Sequence, residues 1–409
     1  MSRFTRFFII YLIADIYTFF GLRSLISDTH NRLLFSVGYV LSTVFVYYCF
    51  YKIWHIASNS GLFSGTEVNF YLGLFLTVFV AKLFFVFFML FQDLPRMFAG
   101  VYNVIFNSDK ASYIPSRRKA LTGIAAGLAA IPFLSMLYGV TKGKYKYTVK
   151  RLTLHFKNLP SEFDGYKIVQ ISDIHAGSFD SKEKVMHGIE MMNKLKPDAV
   201  FFTGDLVNSD KDEIDPYIDV FSKIKSKDGV YAVLGNHDYY GLYDVNEDEK
   251  DAYWENFIDK YLRMGFDLLN NENRSISRNG QTIKIVGVEN WGAGRWFPKE
   301  GDLDVALRNV ADEDFCILLS HDPTHWEEKV LPHQKKIDLT LSGHTHGFQF
   351  GINIPGFKWS PAQYRYKRWM GLHEEKDQKL YINKGFGFLA FPGRVGMWPE
   401  ITEIELRSA

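Results

Sequence analysis

Five short clusters of metal-binding side chains, each directly after an apolar run, constrain this chain more than any other feature. They are Asp173-x-His175, Gly204-Asp205, Gly235-Asn236-His237-Asp238, Ser320-His321 and Gly343-His344-x-His346. The runs before them read as strands: Tyr166–Ile171, Ala199–Phe202, Val230–Leu234, Phe315–Leu319 and Ile337–Leu341. Helical patterns fill several of the gaps, as over Lys182–Leu195 and Glu249–Met264, and Lys150–Pro160 alternates like an edge strand. This layout predicts an α/β domain with its ligands on loops at the C-terminal ends of strands, where open α/β sheets place their sites.

The chemistry follows from the ligand types. Asp, His and Asn gathered at strand ends suit a pair of divalent cations doing phosphoester hydrolysis. Such a pair, about 3.5–4 Å apart, needs a bridging carboxylate, and Asp205 stands centrally in the motif order for that role. Imidazole with carboxylate suits manganese, iron or zinc, whereas calcium is disfavoured by so many histidines. The glycines before Asp205, Asn236 and His344 are expected to allow sharp turns there. His237 is the candidate acid or phosphate-stabilising group, and Asp238 is expected to hold its tautomer. Taken singly, each motif reads as a turn or helix cap; their joint arrangement at strand ends is what points to a site. His155, His187, His325, His333 and His373 gain nothing from that arrangement and read as structural.

A second texture fills the N-terminal third. Four apolar stretches, roughly Phe7–Leu22, Leu33–Tyr51, Val68–Phe91 and Ala120–Val140, precede the motifs. The second and third are long enough to cross a hydrocarbon core of about 30 Å, while the first is short and carries Asp15. The expectation is about four transmembrane helices in residues 1–143, a separate domain at 144–409, and residence in the cell (inner) membrane as a multi-pass protein. Basic residues near the span ends divide almost evenly, so the side that holds the second domain stays open. Asp15 and Lys82 are the ionisable exceptions, and snorkelling of Lys82 is the expected outcome. The segment Asp93–Asn107 is expected to lie on the membrane surface. Net charge is +1, which gives no field for nucleic acid, and no protein partner is indicated. Two cysteines, Cys49 and Cys316, predict no structural disulfide and no cysteine zinc site.

Residues 166–406 resemble the calcineurin-like metallophosphoesterases, whose pattern D-x-H, G-D, G-N-H-[DE], H and G-H-x-H is matched throughout. The resemblance implies a sandwich of two mixed sheets flanked by helices. It also implies that Asp173, His175, Asp205 and His346 hold one metal, and Asp205, Asn236, His321 and His344 the other. His237 would then protonate the leaving oxygen or stabilise the phosphoryl group, with metal-activated water as nucleophile. Ser320-His321-Asp322-Pro323 and the tail Gly385–Glu400 resemble one branch of membrane-associated phosphodiesterases, which includes hydrolases of UDP-2,3-diacylglucosamine in lipid A biosynthesis. The expected partners are therefore the lipid bilayer and an amphiphilic phosphoester. A phosphodiesterase for envelope lipids or polymers outside the cytoplasm and a non-catalytic membrane scaffold or sensor remain the alternatives. The stretch Phe348–Met370 interleaves aromatic and basic residues, which suits a membrane interface, a phosphate-bearing lipid or a stacked base.

Overall fold

The computed structural model describes residues 3–60, 65–106 and 115–409. The chain divides into two compact units with the boundary between Val140 and Thr141.

The N-terminal unit holds α1 (Arg3–Arg23), α2 (Thr29–Ser60), α3 (Thr66–Phe106) and α4 (Pro115–Thr141). Among the described residues, three helices are long and apolar enough to cross a membrane by length and composition, namely α2, α3 and α4. About four helices were expected, and the described residues of this unit form four, of which α1, with Arg3, Arg6, Asp15 and Arg23 within its 21 residues, is the shortest. Two other expectations change. The segment taken for a separate surface element continues α3 to Phe106 straight through Pro95, while Asn107 lies outside the described residues. Lys82 does not snorkel: its ammonium pairs with Asp15 Oδ1, and both side chains are buried. Tyr39 adds a hydroxyl donated to the same carboxylate oxygen at 2.9 Å. A buried charge of either sign would be costly alone, and pairing offsets part of that cost.

The second unit is built from fourteen strands: β1 (Thr148–Phe156), β2 (Lys167–Ile171), β3 (Ala199–Thr203), β4 (Val230–Val233), β5 (Phe266–Leu268), β6 (Glu272–Arg278), β7 (Gln281–Gly287), β8 (Cys316–Leu319), β9 (Leu339–Ser342), β10 (Ile352–Ile354), β11 (Phe357–Trp359), β12 (Gly371–Glu375), β13 (Gln378–Ile382) and β14 (Glu400–Ser408). One mixed sheet runs β1-β14-β2-β3-β4-β5 and the other β12-β13-β9-β8-β7-β6, with β10-β11 as a separate hairpin. β2 to β5 are parallel in the first sheet, and β7, β8, β9 and β13 in the second. β1 sits at the edge, as its alternation predicts.

Alternation within the parallel strands explains the layering. Ala199 and Phe201 of β3 face the inter-sheet core with Ile285, Leu319 and Leu341. Val200 and Phe202 face the other way, onto α5 (Lys182–Lys194) and α7 (Lys250–Met264), with α6 (Ile218–Phe221) between them in sequence. Strands buried on both faces must be apolar at nearly every position, which is why they read as unbroken apolar runs. α5 starts at Ser181, whose side chain accepts from the Lys184 amide, and α7 stops at Gly265 in the left-handed conformation. The result is the two-sheet sandwich flanked by helices that the resemblance implies.

Candidate metal centre

All five clusters follow parallel strands: β2, β3 and β4 of one sheet, β8 and β9 of the other. The site therefore straddles the ends of both sheets. Ligating atoms of Asp173, His175 and His346 lie within 4.8 Å of one another, and so do those of Asp205, His321 and His344. Asp205 Oδ2 stands between the groups, 3.5 Å from His175 Nε2 and 3.1 Å from His321 Nε2. Across the first group, His346 Nε2 is 3.0 Å from His175 Nε2 and 3.1 Å from Asp173 Oδ1. In the second, His344 Nδ1 is 3.2 Å from His321 Nε2.

The backbone is strained at these positions. Asp173, His175, Asp205, His344 and His346 all have positive φ, between 48° and 71°. Left-handed conformations cost a non-glycine residue of order 1–3 kcal/mol, and such strain persists only where the surroundings impose it. Of the two glycines before Asp205 and Asn236, one meets the expectation of a sharp turn and one does not. Gly204 does take positive φ (90°), but Gly235 is extended and is needed for space: a Cβ there would stand 2.2 Å from Asp205 Oδ1.

Hydrogen bonds on the far side of each ring set the nitrogen that faces inward. His175 Nδ1 donates to the Val207 carbonyl (3.2 Å) and His321 Nδ1 to the Thr203 carbonyl (2.7 Å), turning both Nε2 atoms to the site. His344 reverses the arrangement. Its Nε2 meets the Tyr366 hydroxyl at 2.9 Å and Asp322 Oδ2 at 3.5 Å, so Nδ1 faces inward. Such partners orient metal-ligating imidazoles. His346 differs again, since its Nδ1 accepts from Arg394 Nη2 at 3.1 Å.

The residues fit a pair of cations on several counts. Nitrogen atoms and carboxylate oxygens converge at 3.0–3.5 Å, where paired acceptors repel unless a proton or cation lies between them. Burial works to raise Asp173 and Asp205, yet the surrounding imidazoles hold both below the usual carboxylate range. Burial likewise opposes a charge on His321, but Asp205 and Asp173 hold its pKa up to about 10. The proton on His321 thus stands where a divalent cation would satisfy the same carboxylates. Burial pushes His175 and His344 down, which keeps them neutral as ligation requires. Asn236 donates through Nδ2 to Tyr240, while its buried Oδ1 has no hydrogen-bond partner among the described residues. A buried acceptor left in that state costs about 1–3 kcal/mol, which a cation would recover.

Asp238 corrects the reading from sequence. His237 Nδ1 meets the Asn208 carbonyl at 2.6 Å, so Asn208 fixes its tautomer. Asp238 is instead buried and accepts from the backbone amides of Asp205 (3.1 Å), Leu206 (2.8 Å), Val207 (3.3 Å) and Gly235 (2.8 Å). It holds the turns after β3 and β4 together, and burial with the nearby Asp205 charge pushes its carboxyl up to about 7. Its place is under the site and not in it. Sequence reasoning assigned no site role to Asn208, Tyr240 or Arg394, and placed Tyr366 only in the aromatic and basic stretch Phe348–Met370. Asp322 follows a ligand directly and carried that much of a signal; the other four reach the cluster only through tertiary structure. Among the histidines read as structural, His325 bonds Ser320 Oγ at 2.9 Å and His333 lies by Asp304, away from both groups.

Comparison with known proteins places this geometry. Residues 166–348 match the family described as calcineurin-like phosphoesterase, and residues 2–144 match the family described as probable calcineurin-like phosphoesterase, transmembrane domain. A transmembrane protein with metallophosphoesterase domain from Danio rerio is 30% identical over 67% of this chain and 60% of its own length. An uncharacterized metallophosphoesterase of Aquifex aeolicus is 30% identical over 53% of this chain and 76% of its own. Another, from Bacillus subtilis, is 28% identical over 72% of this chain and 98% of its own. The chain thus spans 60% of the length of the fish relative.

Proposed function

The chain belongs to the calcineurin-like metallophosphoesterase family and carries that family's N-terminal transmembrane domain, and from this premise we propose that it hydrolyses a phosphodiester or pyrophosphate borne on a lipid. The observation that carries the hydrolase reading is the convergence of Asp173, His175 and His346 beside Asp205, His321 and His344, with Asp205 Oδ2 reaching toward both groups. Two divalent cations, when bound, supply Lewis acidity toward the phosphoryl oxygens and acidify water for in-line attack on phosphorus.

The remaining work falls to the chain. Asp173, His175, Asp205 and His346 would hold one cation, and Asp205, Asn236, His321 and His344 the other. His237 keeps its Nδ1 on the Asn208 carbonyl, which commits Nε2 to the substrate side. From Nε2 a proton is passed to the leaving alkoxide or held against a phosphoryl oxygen. Tyr366 and Asp322 keep His344 turned with Nδ1 inward as charge develops. Asp238 holds the Asp205 and Gly235 amides in place, so the carboxylate between the groups is fixed before substrate arrives.

The lipid-borne substrate is supported by the apolar helices and by the aromatic and basic stretch that follows His346. UDP-2,3-diacylglucosamine is the specific candidate, on the motifs Ser320–Pro323 and Gly385–Glu400. The test uses the full chain in detergent, loaded with manganese, on that lipid nucleotide beside a generic aryl phosphodiester. Cleavage of both, lost in His237→Ala, is the expected result. Cleavage of the aryl diester alone would retain the hydrolase and discard the nucleotide lipid. Cleavage of neither would discard the hydrolase reading itself.

A further inference from the structure

Between the metal ligands His344 and His346 and the second-sheet strand β12, the chain makes one excursion that neither sheet uses. It leaves the cluster at His346, forms the β10-β11 hairpin, and returns at Tyr366, whose hydroxyl meets His344 Nε2 at 2.9 Å. The base is firmly held. Gln349 is buried and donates to the carbonyls of Leu389 and Phe391 at 2.9 and 2.8 Å, and Ser360 Oγ donates to the Gly347 carbonyl at 2.6 Å. The tip is Pro355-Gly356, with Gly356 at φ 79°, the residue order of a tight turn.

The register makes the hairpin two-faced. Ile352 pairs with Trp359 and Ile354 with Phe357, which puts these four on one face, while Asn353 and Lys358 share the other. In a soluble domain the apolar face of such a pair packs on a core. Here Ile354 is 56% and Phe357 52% exposed. Among the described residues of the sandwich unit, eight large apolar side chains are exposed, and five of them lie between Phe348 and Tyr364. That concentration marks a surface built to meet something apolar.

Charge identifies the partner. From Phe348 to Met370 the sequence has no Asp or Glu but holds Lys358, Arg365, Lys367 and Arg368. Arg368 is neutralised by Glu327 and Glu375, whereas Lys358 adds positive charge on the hairpin itself and Arg365 and Lys367 add it on either side of Tyr366, where the excursion returns to the cluster. An apolar tip on an excursion with basic and aromatic groups and no acidic ones fits an anionic lipid surface. The size agrees as well: strands of three residues extend about 10 Å, the depth that interfacial elements reach.

We propose that the hairpin Ile352–Trp359 inserts into the bilayer interface and seats the mouth of the metal centre on the lipid surface that carries its substrate. The proposal rests on the lipid-borne reading above and adds the element that makes the contact.

The test reconstitutes the full chain in nanodiscs containing anionic phospholipid. Cys49 and Cys316 are buried, so an environment-sensitive fluorophore can be directed to Ile354→Cys, with Ser277→Cys on β6 as a control. A blue-shifted label at 354, quenched by lipids brominated high on the acyl chain, is expected, with no quenching at 277. Equal, water-like emission at both positions overturns the proposal. Independently, Ile354→Asp combined with Phe357→Asp should slow cleavage of an acyl-tailed aryl phosphodiester in the same bilayer about tenfold, leaving the soluble aryl diester unchanged. An equal change on both substrates also overturns it. Failure of the wild-type, manganese-loaded chain on both diesters would defeat the hydrolase reading instead, and the quenching result would still decide the hairpin.

Discussion

In the helical unit the buried carboxylate of Asp15 is met by the Lys82 ammonium and the Tyr39 hydroxyl, whereas in the sandwich the buried carboxylates of Asp173 and Asp205 face imidazole nitrogens of His346, His175 and His321. The first arrangement is complete: one negative charge, one positive charge and a donated hydroxyl. The second is not, because nitrogens and oxygens converge with only protons to separate them. Both places bury charge at comparable depth. What distinguishes a site from a staple is the kind of counter-charge: a fixed ammonium in the helical unit, and in the sandwich a proton on His321 that a cation can replace.

Substitutions can break that comparison, beginning with the largest effect. Asp205→Asn keeps the shape but removes the charge that the two groups share. Metal content measured by elemental analysis should fall at both positions together, and kcat should drop on the order of a thousandfold or more. Retention of one metal at full occupancy would remove Asp205 from the bridging role. His237→Ala should lower kcat on an aryl diester by about 10²–10⁴-fold while the metal content stays at the wild-type value. A matching loss of metal would make His237 a ligand.

On the other side of the comparison, Lys82→Met alone strands Asp15 and should cost about 3–5 kcal/mol, read as a lower Tm in detergent. Combining it with Asp15→Asn should recover most of the loss. Hydrolysis of a soluble diester should survive in the double variant if the pair is a staple, and loss of hydrolysis there would give it a larger role. The smallest effect concerns Asp198, which ties β2 to β3. Burial pushes its carboxyl up, but Lys227, the Lys167 amide and Arg278 outweigh that and hold it below the usual range. A depressed carboxylate stabilises the fold above its unfolded pKa of about 3.9, and that contribution fades as pH falls through the folded value. The Tm gap between wild type and Asp198→Asn should thus be constant near neutrality and close in acid. A gap that widens in acid would contradict the sign.

Much of the sandwich was legible because its parallel strands are buried on both faces and stop at polar ligands, so each strand end announced itself. That Asp173, His175, Asp205, His321, His344 and His346 come together was legible for the same reason. Asp238 was misread because adjacency to His237 in sequence suggested adjacency in space, while the turn after β4 points its carboxylate beneath the cluster at backbone amides. The contact of Tyr366 with His344 was hidden since it depends on the length and register of the hairpin that returns it. In the helical unit, the alternation of apolar and polar residues over Asp93–Asn107 suggested a separate surface segment, yet α3 continues through it to Phe106. Lys82 near an apolar flank looked able to reach water; the partner that holds it inside lies 67 residues away in sequence.

The placement of the two ligand groups also bears on how the sandwich comes apart. His175 follows a strand of one sheet and His346 a strand of the other, and they meet across 171 residues of chain. Cations held there would act as a removable cross-link between the sheets, closing a loop of that length. Thermal midpoints would then rise with free metal concentration by mass action, and chelation would be felt first as loosened docking of one sheet on the other, before any strand is lost.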